Sequence, residues 1–282
     1  MKILIAGAGY VGSACVRRMK ELGHEVLCWV RSPESSARLR EAGFDSLVAD
    51  LASAEAWTNL NFKPDAVLYC PSTRGGGVEE YRSLHHDGLA LAVWNLPPPT
   101  RFIYISSSSV YGQSDASWVD ESSETNPPSE SGKILVEAEK MVVQAGGAVL
   151  RLAGIYGPGR TVLLEKFLEG KAVMSADPKR FLNLIHLEDI VTAFEMLLSK
   201  AGVAGEIYNG VDDNPSTYSE IYNWLSEKFK KPAPTFAPLR AAGAGKKRGI
   251  TNKRVSNAKL RALGWQPRYP SFREGYARLL KT

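Results

Sequence analysis

The amino-acid sequence predicts an α/β fold, a doubly wound parallel sheet with a smaller C-terminal lobe. Three observations carry that expectation. Short, wholly apolar runs such as residues 3–6 and 66–69 suit strands buried on both faces. Segments with apolar residues at helical spacing lie between them, and the two kinds alternate over roughly the first hundred residues, the pattern of strand–helix–strand crossovers. The 282 residues, 44% hydrophobic and 23% charged, suffice for a core that needs no disulfide or metal.

Taken in order, residues 3–6 are the first strand. Residues 10–22 follow as a helix with Val11, Cys15, Met19 and Leu22 on one face, ended by Gly23. Residues 25–30 are a second strand, 33–42 a helix stopped by Gly43, and 46–48 and 66–69 two more strands. Residues 79–96 read as one helix ended by Pro97, Pro98 and Pro99. A strand at 101–105 runs into four serines. Residues 114–128 are polar and contain proline, as a surface loop does; 132–144 are a helix, 148–152 a strand and 154–160 a loop. Helices and short strands then alternate around a proline-rich stretch at 232–238 and a Gly/Ala/basic stretch at 241–249 that reads as mobile. These boundaries predict a first domain over 1–155, with a return segment at 183–210, and a lobe built from 156–182 and 211–282.

Composition excludes several classes. No apolar run reaches the length of a membrane span, and the apolar N-terminus leads into glycines rather than a cleavage site, so a cytoplasmic location is expected. Cys15, Cys28 and Cys70 form no CxxC pair and read as buried, reduced thiols. His24, His85, His86 and His186 lack metal-ligand spacing, so no metal is expected. The net charge of +5 gathers at Lys246, Lys247, Arg248, Lys253 and Arg254 without interleaved aromatics. That cluster reads as a solvated loop, or one facing an anionic substrate or cofactor, rather than a nucleic-acid surface.

Between the first strand and the first helix stands Gly7-Ala8-Gly9-Tyr10-Val11-Gly12, a GxGxxG loop in the setting that binds a dinucleotide. Gly7 permits the tight turn, Gly9 lets the backbone approach a pyrophosphate, and Gly12 lets helix pack on strand. The helix start at Tyr10 and Val11 offers N–H groups and a positive dipole end to the phosphates. This makes the expected fold Rossmann-type. The second strand ends in Val30-Arg31-Ser32-Pro33, where NAD binders usually place an acid. Arg31 can fork to a 2′-phosphate and Ser32 can add a hydrogen bond, so NADP(H) is expected, with NAD(H) the alternative. Asp50 and Leu51, ending the third strand, suit the adenine, or Asp50 simply caps a helix. Cys70, ending the fourth strand, falls on the cofactor side.

The chain resembles the short-chain dehydrogenase/reductase superfamily in its extended, atypical branch, whose members are often described as NAD-dependent epimerase/dehydratase proteins. Beyond the glycine loop, the resemblance rests on Ala49-Asp50-Leu51, the run from Ile105 to Gly112, Leu150-Arg151-Leu152, Gly154 to Arg160, Asn183 to Asp189, Ile207 to Gly210 and Arg254 to Leu260. It implies hydride transfer assisted by a serine, a tyrosine and a lysine. The serine falls on Ser107, whose other reading is a strand-end cap. Aligning on the glycine and Glu137-Ala138-Glu139 puts Ser131 where the family has tyrosine and Leu135 where it has lysine. Lys133 can swing toward the cofactor or pair with Glu137. Tyr111 can supply a phenol or pack in its turn.

The resemblance places the substrate pocket in the C-terminal lobe, for a small or sugar-like molecule. Arg160 is placed to meet an anion or lies on the surface, and Trp118 is the tryptophan expected to face a ligand. His186 and Asp189 read as structural, Asp189 capping a helix from Ile190. Gly75-Gly76-Gly77 is a flap over the nicotinamide or a surface loop. The helices at 79–96 and 132–144 are candidates for a homodimer contact. The leading reading is an NADP(H)-dependent oxidoreductase or epimerase-like enzyme with a non-standard site; the alternative is a silent NADP(H)-binding sensor or scaffold.

Overall fold

A computed structural model describes residues 1–73, 75–97, 100–174, 177–235 and 251–280. Lys246, Lys247, Arg248 and the rest of 241–249 lie outside the described residues. The main sheet joins β1 (Lys2–Ala6), β2 (Glu25–Val30), β3 (Asp45–Val48), β4 (Ala66–Tyr69), β5 (Arg101–Ser107), β7 (Ala148–Leu152) and β11 (Ile207–Gly210). Its spatial order is β11-β7-β5-β4-β1-β2-β3, a doubly wound Rossmann-type parallel sheet. In register, Ile3 sits beside Val26 on one side and Ala66 on the other. Strand order reverses between β1 and β4, the switch point outside which such sheets bind ligands.

Local sequence explains the flanking helices. α1 (Tyr10–Glu21) buries Gly12, Ala14, Cys15, Val16 and Met19. α2 (Pro33–Glu41) starts with proline at its first helical position and Ser32 as its cap, the Ser35 N–H donating to Ser32 Oγ at 3.3 Å. A short helix, α3 (Ala54–Thr58), was not expected; Ser53 caps it, and the Trp57 indole donates to the Leu51 carbonyl at 2.8 Å.

The expected single helix at 79–96 is instead α4 (Val78–Arg82), a π turn (Ser83–Asp87) and α5 (Gly88–Asn95). Within the wide turn the Leu84 carbonyl accepts the Tyr69 hydroxyl at 2.6 Å. His85 Nδ1 lies 2.9 Å from the Tyr104 hydroxyl, and Tyr81 stacks on the His85 ring at 4.7 Å. α6 (Glu130–Gln144) is locked down by a buried group. Glu139 accepts Ser106 Oγ at 2.5 Å and Arg151 Nη2 at 2.7 Å.

Two compact units result. The first comprises residues 1–107, 130–151 and 191–208, the second 108–129, 152–190 and 209–282. Residues 108–129 group with the C-terminal part because β6 (Trp118–Val119), inside the expected surface loop, pairs in parallel with β13 (Arg254–Val255). Likewise 154–160 is not all loop: β8 (Gly154–Tyr156) pairs with β10 (Leu184–His186). β9 (Phe181–Leu182) and β12 (Ser216–Thr217) are antiparallel. Within this unit α7 (Val162–Leu168), α9 (Tyr218–Phe229) and α11 (Phe272–Leu279) contribute Leu164, Phe167, Ile221, Leu225, Phe272 and Tyr276 to one core cluster. Thr217 and Glu220 close a capping box at the start of α9. α8 (Leu187–Ser199) and α10 (Ala258–Ala262) complete the helices described. Among the described residues no helix is long and apolar enough to cross a membrane, and no cluster of His, Cys, Asp and Glu could hold a metal.

Candidate functional site

The first unit carries a cleft at the C-terminal ends of β1 and β2. Gly7, Ala8, Gly9, Trp29, Val30, Arg31, Ser32, Ser35, Ala49, Asp50, Leu51, Pro71, Ser72 and Leu84 line it. The three glycines do different work. Gly7 has φ +98°, and a Cβ there would lie 2.6 Å from the Pro71 backbone. At Gly12 a Cβ would lie 2.6 Å from the Gly7 carbonyl oxygen. At Gly9, φ is −82° and a Cβ would meet nothing within 4 Å. Protein packing therefore demands glycine at 7 and 12 but not at 9. The open space at Gly9 lies beside the start of α1, which has neither a side-chain cap nor an acid in its first turn. An uncapped, acid-free helix start next to that space suits a pyrophosphate.

The expected cofactor residues divide accordingly. Gly7, Gly9, Arg31, Ser32, Asp50 and Leu51 share the cleft, Gly12, Tyr10 and Val11 form the helix start, and the Cys70 thiol lies behind, donating to the Gly7 carbonyl at 3.3 Å. Burial pushes the Cys70 thiol up to about 12, so it stays protonated. Asp50 accepts the Ala52 N–H at 2.9 Å, a local turn at the cleft wall. Trp29 is fully buried, its indole donating to Ala49 and its ring 4.4 Å from that of Trp57.

The electrostatics at the end of β2 were not foreseen. Arg31 Nη1 donates to Glu80 Oε1 of α4 at 2.6 Å. Glu34, in the first turn of α2, accepts from its own backbone N–H and from the Ser32 hydroxyl, which hold its carboxyl below the usual range. Ser35 adds a hydroxyl, with Arg38 Nη2 3.3 Å away. Ser35 could have been found, since it follows the cap residue by one helical turn. Glu80 is 49 residues from Arg31, and no local pattern joins them.

Ser107 ends β5 and Ser131 lies in the first turn of α6, both half-buried. Leu135 is buried. Lys133 is exposed and donates to Glu130 at 2.6 Å, not to Glu137, which faces Arg82 at 3.6 Å. The i,i+3 partner is nearer because both side chains leave the exposed face of the first turn. A larger hollow of about 420 Å³ lies near the starts of β5 and β7, away from this chemistry. Its charged lining residue, Arg101, donates to the carbonyls of Leu197, Leu198 and Lys200.

Tyr111, Trp118 and Arg160 belong to the second unit. Tyr111 is fully buried; its hydroxyl donates to Asn209 Oδ1 at 3.0 Å and its carbonyl accepts Lys253 Nζ at 2.8 Å. This geometry is that of a packing residue. Trp118 is 55% exposed, with the Arg254 guanidinium 5.3 Å from its ring centre and 5.2 Å from that of Phe181. Arg160 is exposed, and its backbone closes the turn onto Gly157. Among the described residues, no ion pair involves Arg180, Lys253 or Arg254, although Arg180 and Lys253 are buried. Burial lowers Lys253 to about 8.

His186 is fully buried between Tyr269 and Tyr156, and desolvation lowers it to about 4, so it is neutral. Asp189 is no cap: α8 starts at Leu187, and Asp189 accepts the backbone N–H groups of Arg268 and Tyr269 at 2.6 and 3.2 Å. Burial raises its carboxyl to about 6.

Comparison with known proteins follows the same frame. The model of the NAD dependent epimerase/dehydratase family matches residues 3–209. Protein YeeZ of Escherichia coli K12 is 29% identical over 281 residues, covering 95% of this chain and 96% of YeeZ. The 2-alkyl-3-oxoalkanoate reductase of Stenotrophomonas maltophilia is 27% identical over 253 residues, covering 80% of this chain and 74% of the reductase. Among solved structures, a Methylobacillus flagellatus protein provisionally described as an NAD-dependent epimerase/dehydratase superposes with a TM-score of 0.80 at 28% identity, over 99% of this chain and 97% of that one.

Proposed function

Because the chain belongs to the NAD dependent epimerase/dehydratase family, we propose that it is an NADP(H)-binding oxidoreductase or epimerase-like enzyme. Its substrate is a small or sugar-like molecule carrying a carbonyl or hydroxyl group. The observation that supports NADP(H) is the end of β2, where Arg31, Ser32 and Ser35 line one cleft and no carboxylate directly follows the strand. The open side of Gly9 and the uncapped start of α1 receive the pyrophosphate. Asp50 and Leu51 flank the adenine. When bound, the nicotinamide supplies the hydride acceptor or donor. Ser107 hydrogen-bonds the substrate oxygen, and Ser131 or water, rather than a phenol, handles the proton. Arg160, Trp118 and the cationic residues around Arg254 suit an anionic group on the substrate. That one relative is named a reductase of 2-alkyl-3-oxoalkanoates supports a carboxylate-bearing ketone as the first class to try. Trp94 on α5, 89% exposed, supports a homodimer through α4–α5 and α6.

The test is cofactor binding followed by turnover. Purified protein binds NADPH in preference to NADH, and oxidises NADPH with an oxo acid or keto sugar. Ser107→Ala removes the turnover and keeps the binding. Activity undiminished in that variant refutes the role of Ser107. The second reading, a silent NADP(H)-binding sensor or scaffold, is favoured by one observation: Ser131 and a buried Leu135 stand at the tyrosine and lysine positions. NADPH binding without turnover across the substrate panel decides for it.

A further inference from the structure

Arg31 reaches the cleft already engaged. Its Nη1 donates to Glu80 Oε1 at 2.6 Å, and Glu80 is the less exposed partner, 31% against 59%. A Cβ built on Gly76 would overlap Glu80 Oε2 and come within 2.5 Å of Cδ. The place of a side chain at Gly76 is taken by the Glu80 carboxylate. Glu80 thus neutralises Arg31 at the mouth of the cleft.

We infer that Glu80 sets the cofactor preference of this cleft, by holding Arg31 so that a 2′-phosphate must compete with a carboxylate that a 2′-hydroxyl leaves undisturbed. The inference rests on the reading of Arg31 as the 2′-phosphate ligand. A phosphate arriving at Arg31 meets like charge from Glu80, and Arg31 must share or exchange its partner. NADH makes neither demand. Glu80 therefore lowers affinity for NADP(H) without touching the dinucleotide core, and keeps NAD(H) within range of a site that carries an arginine.

The experiment measures dissociation constants of NADPH and NADH for the whole protein, for Glu80→Gln, Arg31→Ala and their combination, at low and high salt. Glu80→Gln is expected to tighten NADPH by about tenfold at low salt, the Coulomb effect of removing one charge several ångströms from a dianion, and to leave NADH within about twofold. The gain shrinks at high salt. Gly76→Ala, whose Cβ displaces the Glu80 carboxylate, tightens NADPH in the same direction with both charged residues kept. With Arg31 replaced, Glu80→Gln is expected to gain less NADPH affinity than in the parent, because no guanidinium is left to release; an equal gain overturns the claim that Glu80 acts by holding Arg31. If Arg31→Ala weakens NADPH but Glu80→Gln leaves it unchanged or weaker, the role of Glu80 is overturned and that of Arg31 stands. If Arg31→Ala leaves NADPH unchanged, the reading of Arg31 falls and this inference with it.

Discussion

Alanine at each glycine of the cofactor loop separates packing from ligand binding. At Gly7 the left-handed backbone costs an L-residue about 1–2 kcal/mol, and a Cβ 2.6 Å from Pro71 backbone atoms forces a shift costing about 1–3 more. Gly7→Ala should therefore lose about 2–5 kcal/mol of stability. Gly12→Ala meets a carbonyl oxygen at 2.6 Å and should lose about 1–3 kcal/mol. Gly9→Ala meets nothing within 4 Å at an ordinary negative φ, so its stability should stay within about 0.5 kcal/mol of the parent. Its defect lies in the cofactor. A methyl group at the pyrophosphate position sacrifices at least one charged hydrogen bond, about 1.5–3 kcal/mol, which is about a 10- to 150-fold loss of affinity. Urea denaturation without cofactor gives the first quantity. Quenching of Trp29, which lines the cleft, gives the second on titration with NADPH. A Gly9→Ala protein that is as unstable as Gly7→Ala, or that binds NADPH with undiminished affinity, refutes the assignment of that open space.

Three other outcomes follow from the geometry. Arg151→Met leaves the Glu139 carboxylate buried with its Ser106 contact and should cost about 3–5 kcal/mol in urea denaturation, most of it recovered in the Arg151→Met/Glu139→Leu pair; a loss under about 1 kcal/mol removes the lock on α6. Lys253, lowered to about 8 by burial, should make the parent gain stability relative to Lys253→Met as pH rises from about 8 toward 10.5, because the unfolded chain holds that proton longer. A pH-independent difference between the two contradicts the burial of an ammonium there. On the proposed homodimer contact, Trp94→Glu should lower the association state in analytical ultracentrifugation, and an unchanged sedimentation coefficient rules out α5 as the contact.

Much of the first unit was legible because its signals are local. Apolar runs bounded by Gly23 and Gly43 mark strand and helix ends within a residue or two, and Ser32-Pro33 is both the cap of α2 and part of the cleft. What escaped depends on partners distant in sequence. β8 exists because Gly154–Tyr156 meets Leu184–His186, and β6 because Trp118–Val119 meets Arg254–Val255; neither segment has strand character alone. The same holds in the site. Arg31 was visible but Glu80 was not, and of the two readings of Tyr111 the fold bears out packing, on Asn209 and Lys253. Asp189 was expected as a cap, whereas its two acceptor bonds go to residues 79 and 80 positions away.

The π turn at Ser83–Asp87 has a practical consequence for comparing relatives. A wide turn is how a helix takes up one extra residue locally, so that the residues beyond it keep the facing they would have without it. A relative that lacks the extra residue then shares both the direction and the facing of α5, but an ungapped comparison of residues 88–95 is out by one residue, about 100° about the helix axis. Deleting one residue within 83–87 should return the turn to ordinary α geometry and leave Trp94 on its present face. A one-residue gap placed in the turn, rather than a list of substitutions, is then what brings the outward side chains of this helix into correspondence with a relative's.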